Sequence, residues 1–294
     1  MSSKQNVVPI AGILSGALVW GLIWYPYRML ETAGVSGPLA TLITYLLAML
    51  CGAFMLPGVW RELPKAGWWT VALVLCAGWS NFGYVLAVLH GEVMRVLLLF
   101  YLAPLWTILF SYWLLGERLN RYGYAVIALS FCGALIMLWR PQLGLPLPQN
   151  LAEWVGLSAG MSFALSNVVS RRAAHLSVEA KSNSVLFGTA LLTAPLLWWQ
   201  GGLPNQLASI DAQSWLILAL LGVVLCATSF AVQYGLSRLP ANRVIILFLF
   251  ELVFAATASY FLVNEAMQLR DWLGALLIVS ASMLSGKLHV AEKT

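Results

Sequence analysis

Residues Arg95–Glu117 read RVLLLFYLAPLWTILFSYWLLGE, and residues Arg243–Glu265, 148 positions later, read RVIILFLFELVFAATASYFLVNE. Eight of the 23 aligned positions are identical, among them Arg-Val at the start, Ser-Tyr inside and Glu at the end. Shared apolar composition inflates matches among Leu and Phe. It does not by itself place the same Arg, Ser-Tyr and Glu in one register. Each copy is long and apolar enough to cross a bilayer, which takes roughly 20 residues of helix. A weaker echo joins GILSGALVWG from Gly12 to GLSAGMSFAL from Gly156, since both carry Gly-x-x-x-Gly, at Gly12 and Gly16 and at Gly156 and Gly160. The expectation is a duplicated chain: a first repeat over 1–140, a linker over 141–150 in the proline-rich RPQLGLPLPQN, and a second repeat over 151–294.

Composition supports a chain that lives in lipid. Hydrophobic residues make up 61% of the 294 and charged residues 9%, against about 25% charged in a soluble domain. The net charge of +5 reads as loop residues that orient spans. No soluble segment carries a basic patch interleaved with aromatics, so nucleic acid is not an expected partner. The four cysteines, Cys51, Cys76, Cys132 and Cys226, lie in apolar stretches without a C-x-x-C pair, and read as small buried residues, neither disulfides nor metal ligands. The N-terminal apolar run exceeds the h-region of a signal peptide and reads as an uncleaved first span.

The pattern predicts an all-α polytopic membrane protein of ten transmembrane helices, near 8–27, 38–59, 68–89, 94–115, 122–139, 151–170, 183–200, 214–236, 244–263 and 271–288. With the N-terminus cytoplasmic, the inside segments hold twelve Lys and Arg: Lys4, Arg61, Lys65, Arg118, Arg121, Arg171, Arg172, Lys181, Arg238, Arg243, Lys287 and Lys293. The outside segments hold four, Arg28, Arg95, Arg140 and Arg270. That bias places both termini in the cytoplasm. Five spans per repeat is odd, so the second repeat enters the membrane from the opposite side. Inverted repeats are a hallmark of secondary transporters, with the substrate site near the midplane between the halves.

Enzyme motifs fail. GLSAG at Gly156–Gly160 fits Gly-x-Ser-x-Gly, but a nucleophile elbow needs a strand-turn-helix setting, and His90, His175 and His289 all fall at span ends or tails. Small residues that let helices pack closely are the better reading. There is no Walker loop, no H-E-x-x-H and no paired acids at catalytic spacing. The expectation is no catalytic residue, no cofactor and no metal.

The candidate site residues are aromatic and amide side chains within the spans. Trp20 and Trp24 share one face of the first span below Gly16; WSNFGY supplies Trp79, Asn81, Phe82 and Tyr84; FYLAP supplies Phe100 and Tyr101; TSFAVQY supplies Phe230, Gln233 and Tyr234. Trp68, Trp69, Trp139, Trp198 and Trp199 at span ends read as interface anchors. Trp20, Trp79, Asn81, Tyr84, Tyr101 and Phe230 sit deeper; bulk packing is an open reading of any one of them, but as a set, mixed with Asn and Gln, they suit a cavity for a flat amphipathic solute. Glu251 is eighth of twenty in VIILFLFELVFAATASYFLV. An acid near a helix centre costs about 2.5–3.5 kcal/mol on insertion scales, so it is protonated, paired or facing a wet cavity. Recognition of a substrate amine, proton coupling and a structural hydrogen bond all remain open readings. Its counterpart in the first repeat is Ala103. Pro104 reads as a kink near the cavity or plain helix bending.

PLWTILFSYWLLGERL (Pro104–Leu119) resembles the repeat ending of the drug/metabolite transporter superfamily, in its branch of two EamA repeats. The Glu251 stretch is similar to that family's Glu-Pro form, with Leu252 for the proline and Asn264 for the glycine. The resemblance implies a transporter, with amino acids, sugars, nucleotide sugars and drugs as the class of solutes. YLAPLWTILF (Tyr101–Phe110), with Trp20 in the first span, resembles the YddG-type aromatic amino acid exporters. That likeness implies export of amino acids across a bacterial inner membrane. Where those proteins carry large aromatics this chain has Ala103 and Ala164, which implies a roomier pocket for several neutral amino acids. The resulting expectation is a monomeric exporter working by alternating access. Trp20, Trp24, Tyr84, Tyr101 and Phe230 form walls, Asn81, Asn167 and Gln233 bind polar ends, and Glu251 takes the ammonium or a proton. Proton antiport and facilitated flow stay open, as do an exporter of drugs or other metabolites and a membrane scaffold or sensor.

Overall fold

The computed structural model describes residues 7–55, 67–139, 141, 147–201, 203–263 and 268–285. Lys4, Arg61, Lys65, Arg140, Asn264, Glu265, Lys287, His289, Lys293 and linker residues 142–146, all named above, lie outside the described residues. Among the described residues the chain is helical, with no strand. Among those residues seven stretches are long and apolar enough to cross a membrane: Val7–Thr32, Gly37–Phe54, Trp68–Val88, Arg95–Leu115, Arg121–Leu138, Ala212–Leu236 and Ala241–Leu262. The other three expected spans are also helices, α8 (Leu151–Arg172), α9 (Val178–Gln200) and α14 (Leu269–Ser285). Two of these three carry charge that the fold turns inward: Glu153 on α8 is 2% exposed and Lys181 on α9 is 1%.

The remaining elements are α1 (Val7–Leu22), α2 (Trp24–Thr32), α3 (Gly37–Met55), α4 (Trp68–His90), α5 (Val93–Phe100), α6 (Ala103–Phe110), α7 (Arg121–Leu138), α10 (Leu203–Ala208), α11 (Ala212–Leu236), α12 (Ala241–Phe248) and α13 (Phe250–Val263). Four helices start on side-chain caps. Asn120, Asn150, Ser177 and Asp211 each accept a backbone N–H three residues on, which satisfies a donor the first turn leaves free. After α6 one π turn, Ser111–Leu115, ends at Gly116, whose φ of 69° is left-handed and suits a residue without Cβ.

The two long repeated stretches, expected as continuous helices, are both broken, and at equivalent residues. Helices α5 and α12 are each eight residues long and are related by the same 148-residue shift as the sequence repeat. In the first copy Pro104 opens α6, where a missing N–H does least harm. In the second copy Leu252 stands in that place and the helix breaks all the same. The Leu252 N–H turns back to the Leu249 carbonyl at 3.1 Å. Proline thus accompanies the first break and is absent from the second.

Packing repeats the duplication. Helix α4 packs on α8 and α1 on α11; α4 packs on α9 and α3 on α11; α8 packs on α5 and α6, and α1 on α12 and α13. Helices α3 and α9, and α7 and α14, pack on their own counterparts. Exchanging the halves maps these interfaces onto one another. The paired glycines sit at their closest points. A Cβ on Gly12 would fall 2.4 Å from the Ala231 carbonyl oxygen, and one on Gly156 would fall 3.1 Å from Val96 Cγ1 and 3.5 Å from Ala87 Cβ. A Cβ on Gly160 would fall 2.3 Å from the Phe100 carbonyl oxygen, and one on Gly16 3.4 Å from the Phe248 ring. The outer surface is apolar: Phe54, Trp198, Trp199 and Met283 are each at least 80% exposed, a face suited to lipid contact.

Gly160→Val should therefore force α8 off α5 and lower stability by about 1–3 kcal/mol, the usual cost of overpacking. Gly37→Ala, which meets nothing within 4 Å, should leave thermal melting in detergent unchanged. Equal melting of the two variants would show that the glycine approach does not hold the halves together.

Candidate functional site

The broken helices border a cavity of about 110 Å³, room for several waters and less than a drug-sized site of roughly 300–1,000 Å³. Of the residues singled out in the sequence, it gathers Trp20, Asn81, Tyr84, Phe100, Tyr101, Asn167, Gln233 and Glu251. It does not gather Trp24, Phe82, Ala103, Ala164 or Phe230. Trp24 packs on Tyr25 beyond the break between α1 and α2, and Phe82 packs on Trp79. Ala103 and Ala164 are sealed in an apolar cluster with Val168, Ile245 and Ile246. Gly12, Gly16, Gly156, Gly160 and Pro104 pack the helices around the cavity and do not line it.

One wall is a run of rings that sequence reasoning saw only in part. Tyr101 meets Phe100 (centroids 5.6 Å), Phe100 meets Phe163 (5.6 Å), Phe163 meets Phe248 (5.2 Å) and Phe248 meets Trp20 (6.0 Å). Tyr84 adds an edge contact to Phe100 at 5.3 Å. Phe163 and Phe248 were missed. The repeat could have found Phe248, because it is the counterpart of Phe100 at the shared break. Phe163 lies one helical turn from Asn167 on α8. Small polar residues complete the lining, with Ser80, Ser166 and Ser229.

Among the described residues Glu251 is the one carboxylic acid of the lining, and no Lys, Arg or His joins it. It sits in the first turn of α13, not in mid-helix as the sequence implied. Free N–H groups and the helix dipole favour a carboxylate there. The Tyr101 hydroxyl stands beside it. The break at Leu249 thus gives the acid its local support.

Polar layers close both ends of α8. At one end Arg95 donates to Glu153 through Nε (2.8 Å) and Nη2 (2.9 Å), and Nη2 also reaches the Leu147 carbonyl at 2.9 Å. The Gln149 N–H and Asn150 Nδ2 donate to the same carboxylate. At the other end Arg171 pairs with Glu117 at 3.0 Å and donates to the Leu239 carbonyl. Glu117 also accepts from the Ala241 N–H and from Asn242 Nδ2 at the start of α12. Burial pushes the Glu117 carboxyl above the usual carboxylate range, against the pull of Arg171 and of those donors. Ser170 donates to Gln233, and Lys181 donates to Ser237 at 3.1 Å. Glu153 and Arg171 stand about 27 Å apart along α8 at 1.5 Å per residue, close to a hydrocarbon thickness of about 30 Å.

Ser158, the serine of the Gly-x-Ser-x-Gly match, accepts from Trp79 Nε1 at 3.0 Å and donates to the Val155 carbonyl at 2.8 Å. It is a packing residue between α4 and α8. Among the described residues no group of His, Cys, Asp and Glu could hold a metal ion.

A profile of the EamA-like transporter family matches residues 8–139 and 150–286. An uncharacterized transporter of Pseudomonas aeruginosa is 28% identical over 195 residues, which is 63% of this chain and 60% of that protein. Protein RarD of Streptomyces exfoliatus is 25% identical over 276 residues, 90% of this chain and 84% of that protein. The S-adenosylmethionine uptake transporter of Rickettsia prowazekii is 26% identical over 214 residues, 72% of this chain and 68% of that protein. A crystal structure at 18% identity superposes with a TM-score of 0.75 over 97% of both chains, a likeness of fold alone.

Arg95→Leu leaves the Glu153 carboxylate buried without its cation and should cost about 3–5 kcal/mol, while Arg95→Leu with Glu153→Leu should regain part of that loss. Thermal melting in detergent reads both. A double variant no better than the single one would mean that the ion pair itself contributes little beyond the backbone contacts of Glu153.

Proposed function

As the chain belongs to the EamA-like transporter family, we propose that it is a secondary transporter that exports amino acids, aromatic and other neutral ones, from the cytoplasm of a bacterium. It sits in the inner membrane as ten spans, two five-span halves inverted relative to each other, and works as a monomer. The observation that carries this reading is the cavity at the two helix breaks, where one carboxylate faces a wall of rings with no basic residue among the described residues. A lining of that kind attracts a cationic or zwitterionic solute with an apolar side and repels anions. Discontinuous helices at a midplane site are how transporters expose helix ends to a charged substrate. The polar layers at the ends of α8 serve as the two closures that alternating access needs. The excess of Lys and Arg on alternate loops supports cytoplasmic termini.

A second reading is transport of a larger amino-acid derivative or another metabolite. The Rickettsia relative named for S-adenosylmethionine favours it, and a lone carboxylate suits a sulfonium as well as an ammonium. The volume of about 110 Å³ favours the smaller solute in this conformation.

Counterflow of labelled amino acids in proteoliposomes tests the reading, with wild type against Glu251→Gln. Wild type should exchange neutral amino acids. The variant should fold and exchange at least about tenfold more slowly, as loss of a charge-assisted hydrogen bond of about 1.5–3 kcal/mol implies. Normal exchange by the variant would make Glu251 structural. Exchange of S-adenosylmethionine but of no neutral amino acid would select the second reading. No exchange of any solute by wild type, with mutations of Asn81 and Glu251 lowering stability alone, would mark a scaffold.

A further inference from the structure

Three amide side chains reach the cavity, and two of them are already paired within the protein. Asn81 accepts from the Tyr45 hydroxyl at 2.9 Å and donates to the Ala77 carbonyl at 2.9 Å. The Gln233 carbonyl oxygen accepts from Ser170. Asn167 differs. It lines the cavity, is 6% exposed, and its Nδ2 is buried with no hydrogen-bond partner among the described residues. A buried amide donor left unpaired costs about 1–3 kcal/mol, so such a group in a cavity wall points to an acceptor that arrives from outside. The residue cannot easily turn away. It lies one helical turn before Arg171, on the helix held at both ends by ion pairs.

We infer that Asn167 is the specificity-determining donor of this cavity, hydrogen-bonding a carboxylate or carbonyl oxygen of the solute whose cationic end lies at Glu251. The inference rests on reading the cavity as the transport site. Geometry supports two separate poles. Helix α8 runs antiparallel to α12, because Arg171 meets Leu239 while Phe163 meets Phe248. Asn167 lies about 6 Å beyond Phe163 in one direction along the axis, and Glu251 about 4.5 Å beyond Phe248 in the other. The rings stand between them. Both side chains line one cavity, so an α-amino acid, whose ammonium and carboxylate share one carbon, meets Glu251 with the first group and Asn167 with the second and turns its apolar side chain to the wall. A site that donates a buried hydrogen bond discriminates strongly against an analogue lacking the acceptor, because its own donor stays unpaired.

The test uses the purified full-length protein in proteoliposomes and three probes that share a ring: phenylalanine, phenethylamine and 3-phenylpropanoate. The first carries both ends, the second only the amine, the third only the carboxylate. Wild type should exchange phenylalanine at least about tenfold faster than phenethylamine, the ratio expected for one hydrogen bond to a charged group, and should exclude 3-phenylpropanoate. In Asn167→Leu that ratio should collapse toward one. In Asn167→Asp it should invert, since a second carboxylate repels the acid end. Asn167→Gln, which keeps the amide, should restore part of the preference and guards against a folding defect in the other two. Equal exchange of phenylalanine and phenethylamine by wild type would overturn the inference and leave the transport reading standing. So would an unchanged ratio in a folded Asn167→Leu. Failure of wild type to move any probe while it moves other amino acids would also overturn it, because the ring wall would then not receive the apolar body that the inference places against it. Failure to move any solute would remove both readings together.

Discussion

The bidentate pair between Arg95 and Glu153 ties the start of one broken span to the start of α8, and the bundle around the cavity is built on that tie. Glu153 is 2% exposed, and its remaining acceptor capacity is filled by the Gln149 N–H and Asn150 Nδ2. A buried carboxylate is tolerable only when paired and hydrogen-bonded in this way. Its counterpart at the far end, Arg171 with Glu117, reaches the start of the other broken span through Ala241 and Asn242. Helix α8 is thereby connected at its two ends to both discontinuous spans. Phe163, Ser166 and Asn167 face the cavity from between the two connections.

That arrangement explains how an acid survives among apolar helices. Had the last repeated stretch been one continuous helix, Glu251 would sit mid-span with every backbone N–H already bonded. The break at Leu249 converts the same residue into a first-turn carboxylate beside Tyr101. The break does not need proline, since α12 ends without one, at the residue equivalent to the end of α5. Equivalent breaks in two copies of which one lacks proline point to packing as the common cause. Phe100 and Phe248 both close their short helices by inserting rings against Phe163.

The symmetry of the helix contacts is not carried into the lining. Glu251 has Ala103 as its counterpart, and Trp20 has Ala164, and both alanines are fully packed away from the cavity. One half thus supplies the tryptophan and the other the acid and the unpaired amide. Symmetric contacts between the halves suit a rocking motion that exchanges open faces, whereas an asymmetric lining holds one solute in one orientation.

Composition and periodicity were enough to establish an all-helical membrane chain, because burial in lipid demands apolar helices whatever the tertiary arrangement. The 148-residue echo located both broken stretches, and eight of the residues singled out in the sequence, among them Trp20, Tyr84, Asn167 and Glu251, face one cavity. The sequence could say that Trp24, Phe82 and Phe230 were aromatic residues of the spans, but not which way they point, since each helix packs against neighbours on several sides. The helix breaks, the ring contact of Phe163 with Phe248, and the division of three similar amides into two paired and one unpaired were decided by tertiary structure. They depend on distances between residues far apart in the chain, such as Asn81 and Tyr45 or Gln233 and Ser170, and no local pattern records which partner a buried polar group will find.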